Sequence, residues 1–211
     1  MASGMRHGEG RGGLPARWRW IASGLFVAVV LIAVAIRAGL LASIDRAILL
    51  SAAPSEGLLP LVEAVTWLGD SLTRTIIAAF VAVGLLAVRA WRRAAVFVAI
   101  VAGGAGANSA MKAIVHRPRP ALLPHLDAVT SFSFPSGHAA NGAILYLSIA
   151  LLMPARHRAA ALALAMLLVV AIGTSRVVLA VHWPSDVLAG WLFGLGWIML
   201  WNQGRPGRAA G

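Results

Sequence analysis

Long apolar runs interrupted by short polar clusters set the pattern of this chain. Six of them approach the ~20 residues that carry a helix across a bilayer. They run from Ile21 to Leu41, Ser71 to Val88, Ala94 to Met111, His138 to Met153, Ala159 to Val181 and Asp186 to Trp201. Helix is the expected form, because in hydrocarbon it satisfies every backbone polar group within the segment. Prolines punctuate the ends: Pro54 and Pro60 in the first connection, Pro118, Pro120, Pro124 and Pro135 in the third, Pro154 in the fourth and Pro184 before the last run. The pattern predicts an all-α, polytopic membrane protein built as a six-transmembrane-helix bundle. Residues 1–19, rich in glycine and arginine, read as a flexible basic tail; 20–203 form the six-span domain, and 204–211 a short second tail.

Composition agrees and adds a direction. Of the 211 residues 60% are hydrophobic, and 18 basic side chains face only 7 acidic ones, a net charge of +11. The cations form clusters between apolar runs, not a stripe interleaved with exposed aromatics, which argues against a nucleic-acid partner. No cysteine is present, so disulfides and thiolate metal sites are excluded. Arg6, Arg11, Arg17, Arg19, Arg89, Arg92, Arg93, Arg156, Arg158, Arg205 and Arg208 all fall on one side of the six-span plan. Asp45, Glu56, Glu63, Asp70, Asp127 and Asp186 fall on the other, so the positive-inside rule puts both termini in the cytoplasm. A cleaved signal peptide is the rival for the first run, whose length favours a span.

The polar residues at the outer ends of three spans are the candidates for chemistry. The third span ends in MKAIVHRPRP, the fourth begins at PSGH, and the fifth runs out through SRVVLAVHWPSD. Singly, each has a structural reading: Lys112 as a snorkelling helix end, Arg117 and Arg119 as headgroup contacts, Ser136 as a helix N-cap. His116, His125, Asn108 and Asp127 stay structural, and Arg37 and Arg74 anchor or pair helix ends. Arg176 lies within an apolar run, where a charge needs a partner or a wet cavity.

Together these pieces resemble the type-2 phosphatidic acid phosphatase family. The resemblance rests on Lys112 with six residues to Arg119-Pro120, on Pro135-Ser136-Gly137-His138, and on Ser175-Arg176 with five residues to His182 and three more to Asp186. It implies a phosphate site formed by Lys112, Arg119, Arg176, Ser136 and Gly137, with donor forks and a helix N-terminus facing the phosphate oxygens. His182 is the implied nucleophile, oriented by Asp186 one helical turn on, and His138 the implied proton donor to the leaving oxygen. A phosphohistidine on His182 is the implied intermediate. Neither cofactor nor metal is implied, since three cations supply the electrostatics and no HExxH or carboxylate cluster accompanies the histidines.

A transporter is the rival from another class, but its charges are expected near the bilayer midplane on broken helices. A lipid-binding protein would need the cations and not a His-Asp pair. The expected partner is a lipid phosphate: undecaprenyl diphosphate first, with phosphatidylglycerol phosphate or phosphatidic acid as alternatives. The site is expected to face outward from the plasma membrane.

Overall fold

Each of the six apolar runs forms a helix, and two further helices lie between the first and second. The computed structural model describes residues 16–52, 54 and 56–201. Its helices are α1 (Ala16–Arg37), α2 (Ala42–Ser51), α3 (Leu59–Trp67), α4 (Ser71–Ala87), α5 (Trp91–Val115), α6 (Gly137–Leu152), α7 (Ala155–Val178) and α8 (Pro184–Trp201), with a single 3-10 turn at Glu56–Leu58 before α3. The expected tail of residues 1–19 is shortened from within, because α1 already begins at Ala16. Residues 1–15, with Arg6 and Arg11, and the tail 204–211, with Arg205 and Arg208, lie outside the described residues, as does the side chain of Arg17.

Helix length separates the runs. Helices α1, α5 and α7 are long and apolar enough to cross a membrane, and α3 with α4 would make a fourth span if the pair, bent by 46°, crosses as one. Helix α6 has only 16 residues, and α8 opens on Pro184, Ser185 and Asp186. By length and composition the described helices thus give three or four spans, against the six expected from hydropathy. The reason lies in position: α6 packs against α4, α5, α7 and α8, so much of its surface meets protein instead of lipid.

Large apolar side chains point outward, as a lipid-facing surface requires; Phe80 on α4 is 80% exposed. Within the core, the contact of α6 with its neighbours is rich in small residues. Ala139, Ala140, Ala143 and Ala150 of α6 are buried, with Ala189 and Phe193 of α8 and Ala165 and Val169 of α7. Gly190 and Gly194, four residues apart on α8, let the two backbones close up. A Cβ added at Gly190 would stand 2.8 Å from the Ser136 carbonyl oxygen, and one at Gly194 2.7 Å from Ala143 Cβ. This small-residue seam, common where membrane helices associate, holds the start of α6 against the start of α8. It therefore brings PSGH to HWPSD.

Candidate active site

Between α7 and α8 the chain turns sharply at Ala180, whose φ of +58° is costly for a residue with a Cβ. The Val181 and His182 N–H groups both donate back to the Arg176 carbonyl at 3.2 Å, which closes the turn and points His182 inward. Helix α8 then starts at Pro184, a residue pre-organised for a first helical position. One turn in, Asp186 reaches back to accept the Trp183 N–H at 3.0 Å, while its own N–H donates to the Trp183 carbonyl at 2.9 Å. His182 and Asp186 are both buried.

The histidine and the aspartate approach each other at ion-pair range. Nδ1 of His182 stands 3.6 Å from Asp186 Oδ2, and the hydroxyl of Ser133 lies between them. The Ser133 hydroxyl thus links the two side chains. Ser133 Oγ donates to Asp186 Oδ2 and so has only an acceptor to offer His182 Nδ1 at 3.2 Å. On the far side of the ring, Arg119 Nη1 approaches Nε2 to 3.1 Å. A guanidinium has no acceptor, so Nε2 holds the lone pair and Nδ1 the proton. The neutral ring thus offers Nε2 as its nucleophilic atom. Burial lowers the His182 pKa from 6.5 to about 4, against the pull of Asp186, so the ring is neutral at pH 7.

The residues expected to hold phosphate gather around this ring. Arg119 also donates to the carbonyls of Ser131 and Val181, at 2.8 and 2.7 Å; its pKa falls to about 10 through desolvation and it stays charged. Lys112 Nζ donates to the carbonyl of Phe132. A Cβ placed on Gly137 would lie 3.8 Å from Lys112 Cε, which puts the lysine beside the start of α6. Arg176 is 1% exposed and donates to Thr66 Oγ1 at 2.6 Å and to Asp127 Oδ2 at 2.7 Å. Its Nε and the hydroxyl of Ser136 are buried with no protein partner, two donors left unspent. Ser136 holds the N-cap position of α6, but its side chain makes no capping bond. A cavity of about 390 Å³ opens alongside, lined by Ser109, Lys112, Arg117, Arg119, Ser131 and Phe132 among others.

His138 stands on the facing side, with Nε2 2.8 Å from Asp70 Oδ1 at the head of α4. Arg74, one turn on, donates to the Gly137 carbonyl at 3.2 Å, which gives it the structural pairing expected of it. Arg37 likewise reaches the Ile114 carbonyl at 3.3 Å. Arg117 departs from its expected headgroup role, because it is engaged by Asp45 and Asp186 at 2.7 and 2.6 Å. Sequence reasoning therefore missed Ser133, Arg117, Asp45 and Asp70, and placed Asp127 outside the site although it pairs with Arg176. One signal was there to find. Acids are scarce in this chain, and Asp45, Asp70, Asp127 and Asp186 all bond to a histidine or arginine of this region. Among the described residues, no group of three or more His, Cys, Asp or Glu side chains gathers as a metal site.

Comparison with known proteins gives a consistent set. Residues 93–209 match the family model described as PAP2 superfamily. The chain is 38% identical over 94 residues to Phosphatidylglycerophosphatase B of Bacillus subtilis (strain 168), covering 42% of this chain and 46% of that protein. It is 36% identical over 119 residues to Lipid A 1-phosphatase of Rhizobium etli, covering 52% and 48%. To Decaprenylphosphoryl-5-phosphoribose phosphatase of Mycobacterium tuberculosis it is 40% identical over 83 residues, covering 38% and 43%. The chain spans about half the length of the curated relatives it matches. The crystal structure of the first transmembrane PAP2 type phosphatidylglycerolphosphate phosphatase from Bacillus subtilis superposes with a TM-score of 0.82 at 29% identity, covering 87% of this chain and 94% of that one.

Proposed function

The chain belongs to the PAP2 superfamily, and from that premise we propose that it is a membrane-embedded lipid phosphatase working through a phosphohistidine on His182. The observation that carries this reading is the state of that ring: neutral, its Nδ1 proton engaged by Ser133 and its Nε2 lone pair beside Arg119. Nε2 attacks phosphorus, and Arg119 transfers its Nη1 donor from the ring to a phosphate oxygen. Lys112 and Arg176 take the remaining charge, with the spare Arg176 Nε and the Ser136 hydroxyl as further donors beside Gly137. The P–O bond to the lipid breaks, and His138, oriented by Asp70, gives its proton to the departing oxygen. Water then attacks the phosphohistidine with His138 as base, releasing phosphate and restoring His182.

For the substrate, the relatives' names span a glycerophospholipid, lipid A and a polyprenyl-linked sugar. Phosphatidylglycerol phosphate has the most direct support, because likeness to a phosphatase of that lipid extends over 87% of the chain. It moves ahead of undecaprenyl diphosphate, which rests on the outward-facing site and remains the second reading; phosphatidic acid is the third.

Six crossings with both termini in the cytoplasm complete the proposal. The shorter α6 and α8 would cross inside the bundle, and the arginine asymmetry sets the direction. A cysteine at Ala128 should then react with an impermeant label outside intact cells and one at Ala155 should not. The activity test is phosphate release by purified protein from the three lipids in excess chelator, with acid-labile phosphoenzyme trapped in parallel. We expect release from at least one lipid and no phosphoenzyme in His182→Ala. Failure with all three lipids would end the reading, and a phosphoenzyme surviving His182→Ala would move the nucleophile elsewhere.

A further inference from the structure

Asp186 is fully buried, so both its carboxylate oxygens need partners. Oδ2 takes the Ser133 hydroxyl and the Trp183 N–H on the side of His182, and Oδ1 takes Arg117 Nη1 at 2.6 Å. Arg117 has a second commitment. Its Nη2 donates at 2.7 Å to Asp45 Oδ2, and Nη1 also reaches Ser185 Oγ at 2.8 Å. Asp45 in turn accepts the Ser185 N–H at 2.9 Å and the Ser185 hydroxyl at 2.6 Å, 140 residues away in sequence. The indole of Trp183 covers the guanidinium, 5.4 Å from ring centre to Cζ.

Helix α2 exists in this position at a cost. Its buried residues are Asp45 and Leu49, one turn apart on a helix whose other side chains face outward. A second apolar residue would dock it more cheaply than a carboxylate that is 1% exposed. The charge count gives that carboxylate a purpose. Arg117 paired with Asp186 alone would be neutral, and the field it presents to His182 correspondingly weak. With Asp45 drawing on the same guanidinium, two carboxylates and one cation leave a single net negative charge beside the ring. When Nε2 bonds to phosphorus the ring keeps its Nδ1 proton and becomes cationic, and this charge lies on the side where the cation forms.

We propose that Asp45 and Arg117 are positioning residues for phosphoryl transfer: through a shared guanidinium they fix Asp186 and keep the Asp45–Arg117–Asp186 cluster at one net negative charge, which stabilises the cationic ring of phosphorylated His182. This rests on the phosphatase reading above. Neither residue touches phosphorus; both act through Asp186 and Ser133.

The test is a double-mutant cycle. Asp45→Asn takes the cluster to zero charge, Arg117→Gln to two negative charges, and the double variant returns it to one. In single-turnover phosphoenzyme formation at saturating lipid, each single variant should lose about 10–100-fold, as when the second partner of a metal-bound histidine is removed: Asp45→Asn through the missing negative charge, Arg117→Gln because Asp186 loses the fork that fixes it. The lipid concentration giving half saturation should stay within about twofold, since a rate-only loss marks a transition-state role. The double variant should lose clearly less than the product of the single losses. Multiplying losses, or losses confined to half saturation, would overturn the proposal. Arg117→Lys guards against a misfolded Gln variant: it keeps the charge without the two-pronged fork and should be slowed as well. A second readout needs no turnover. In histidine-labelled protein in detergent, the Nδ1 proton of His182 should resonate downfield and move upfield in Asp45→Asn and Arg117→Lys; an unmoved resonance in both would overturn the proposal. A wild type that forms no phosphoenzyme while that proton behaves as described would sink the phosphatase reading and leave the cluster's hold on His182 standing.

Discussion

Replacing Ser133 by alanine isolates the hydroxyl that bridges His182 and the Asp186 carboxylate. This hydroxyl is fully buried, accepts from His182 Nδ1 at 3.2 Å and donates to Asp186 Oδ2. Asp186 would keep Arg117 on Oδ1 and the Trp183 N–H on Oδ2, so the carboxylate stays paired and the fold should stand. What is lost is a hydrogen bond to a charged group, ~1.5–3 kcal/mol, or roughly 10–150-fold if it acts only on the transition state. Part of this can be regained. His182 and Asp186 are 3.6 Å apart, and an approach of about 0.6 Å would let Nδ1–H reach Oδ2 directly. We therefore expect Ser133→Ala to slow phosphoenzyme formation ~10–100-fold at saturating lipid, with half saturation little changed. Rapid-quench single-turnover kinetics on protein purified in detergent measures both. Adding Asp186→Asn to Ser133→Ala should cost less than it does in the wild type, because the relay is already cut. A rate within about threefold of wild type, or multiplying losses in the double variant, would show that Ser133 only fills space.

Three further outcomes follow from other parts of the structure. Removing a positioned proton donor costs ~10²–10⁴-fold, so His138→Ala should lose most of that range on phosphatidic acid and clearly less on a diphosphate lipid, whose leaving phosphate needs a proton less; equal losses in single-turnover formation of the phosphoenzyme would refute the donor role. Gly194→Ala would press a methyl to 2.7 Å from Ala143 Cβ and should lower the thermal unfolding temperature, an overpacking cost of ~1–3 kcal/mol, whereas Gly84→Ala, with open space around it in α4, should not lower it. His182 titrates near 4 when folded and near 6.5 when unfolded, so between those values the unfolded chain binds the extra proton and folding stability falls as pH falls. His182→Gln should flatten that part of the pH–stability curve measured by thermal unfolding, and an unaltered slope would refute the depressed pKa.

The apolar runs by themselves determined six helices. Within a single apolar stretch a helix satisfies every backbone polar group in lipid, and the structure places α1 and α4 to α8 within five residues of the expected bounds. Hydropathy put the three motifs at corresponding ends of their runs, and the resemblance to the type-2 phosphatidic acid phosphatase family is what implied Lys112, Arg119, Ser136, Gly137, His138, Arg176, His182 and Asp186 as a set. Helices α2 and α3 were hidden. They are short, lie on either side of Pro54 with Pro60 in the first turn of α3, and owe their places to packing against α8 and α7, which no local period reports. The partners of the site were hidden for a related reason. Ser133 meets Asp186 across 53 residues, His138 meets Asp70 across 68, and Asp45 meets Ser185 across 140. Close packing of α6 on α8, made possible by Gly190 and Gly194, brings the first pair within hydrogen-bond range, α4 against α6 the second, and the docking of α2 on α8 the third. Residue type could say that a buried carboxylate needs a partner, but which arginine supplies it was decided by where the helices come to rest.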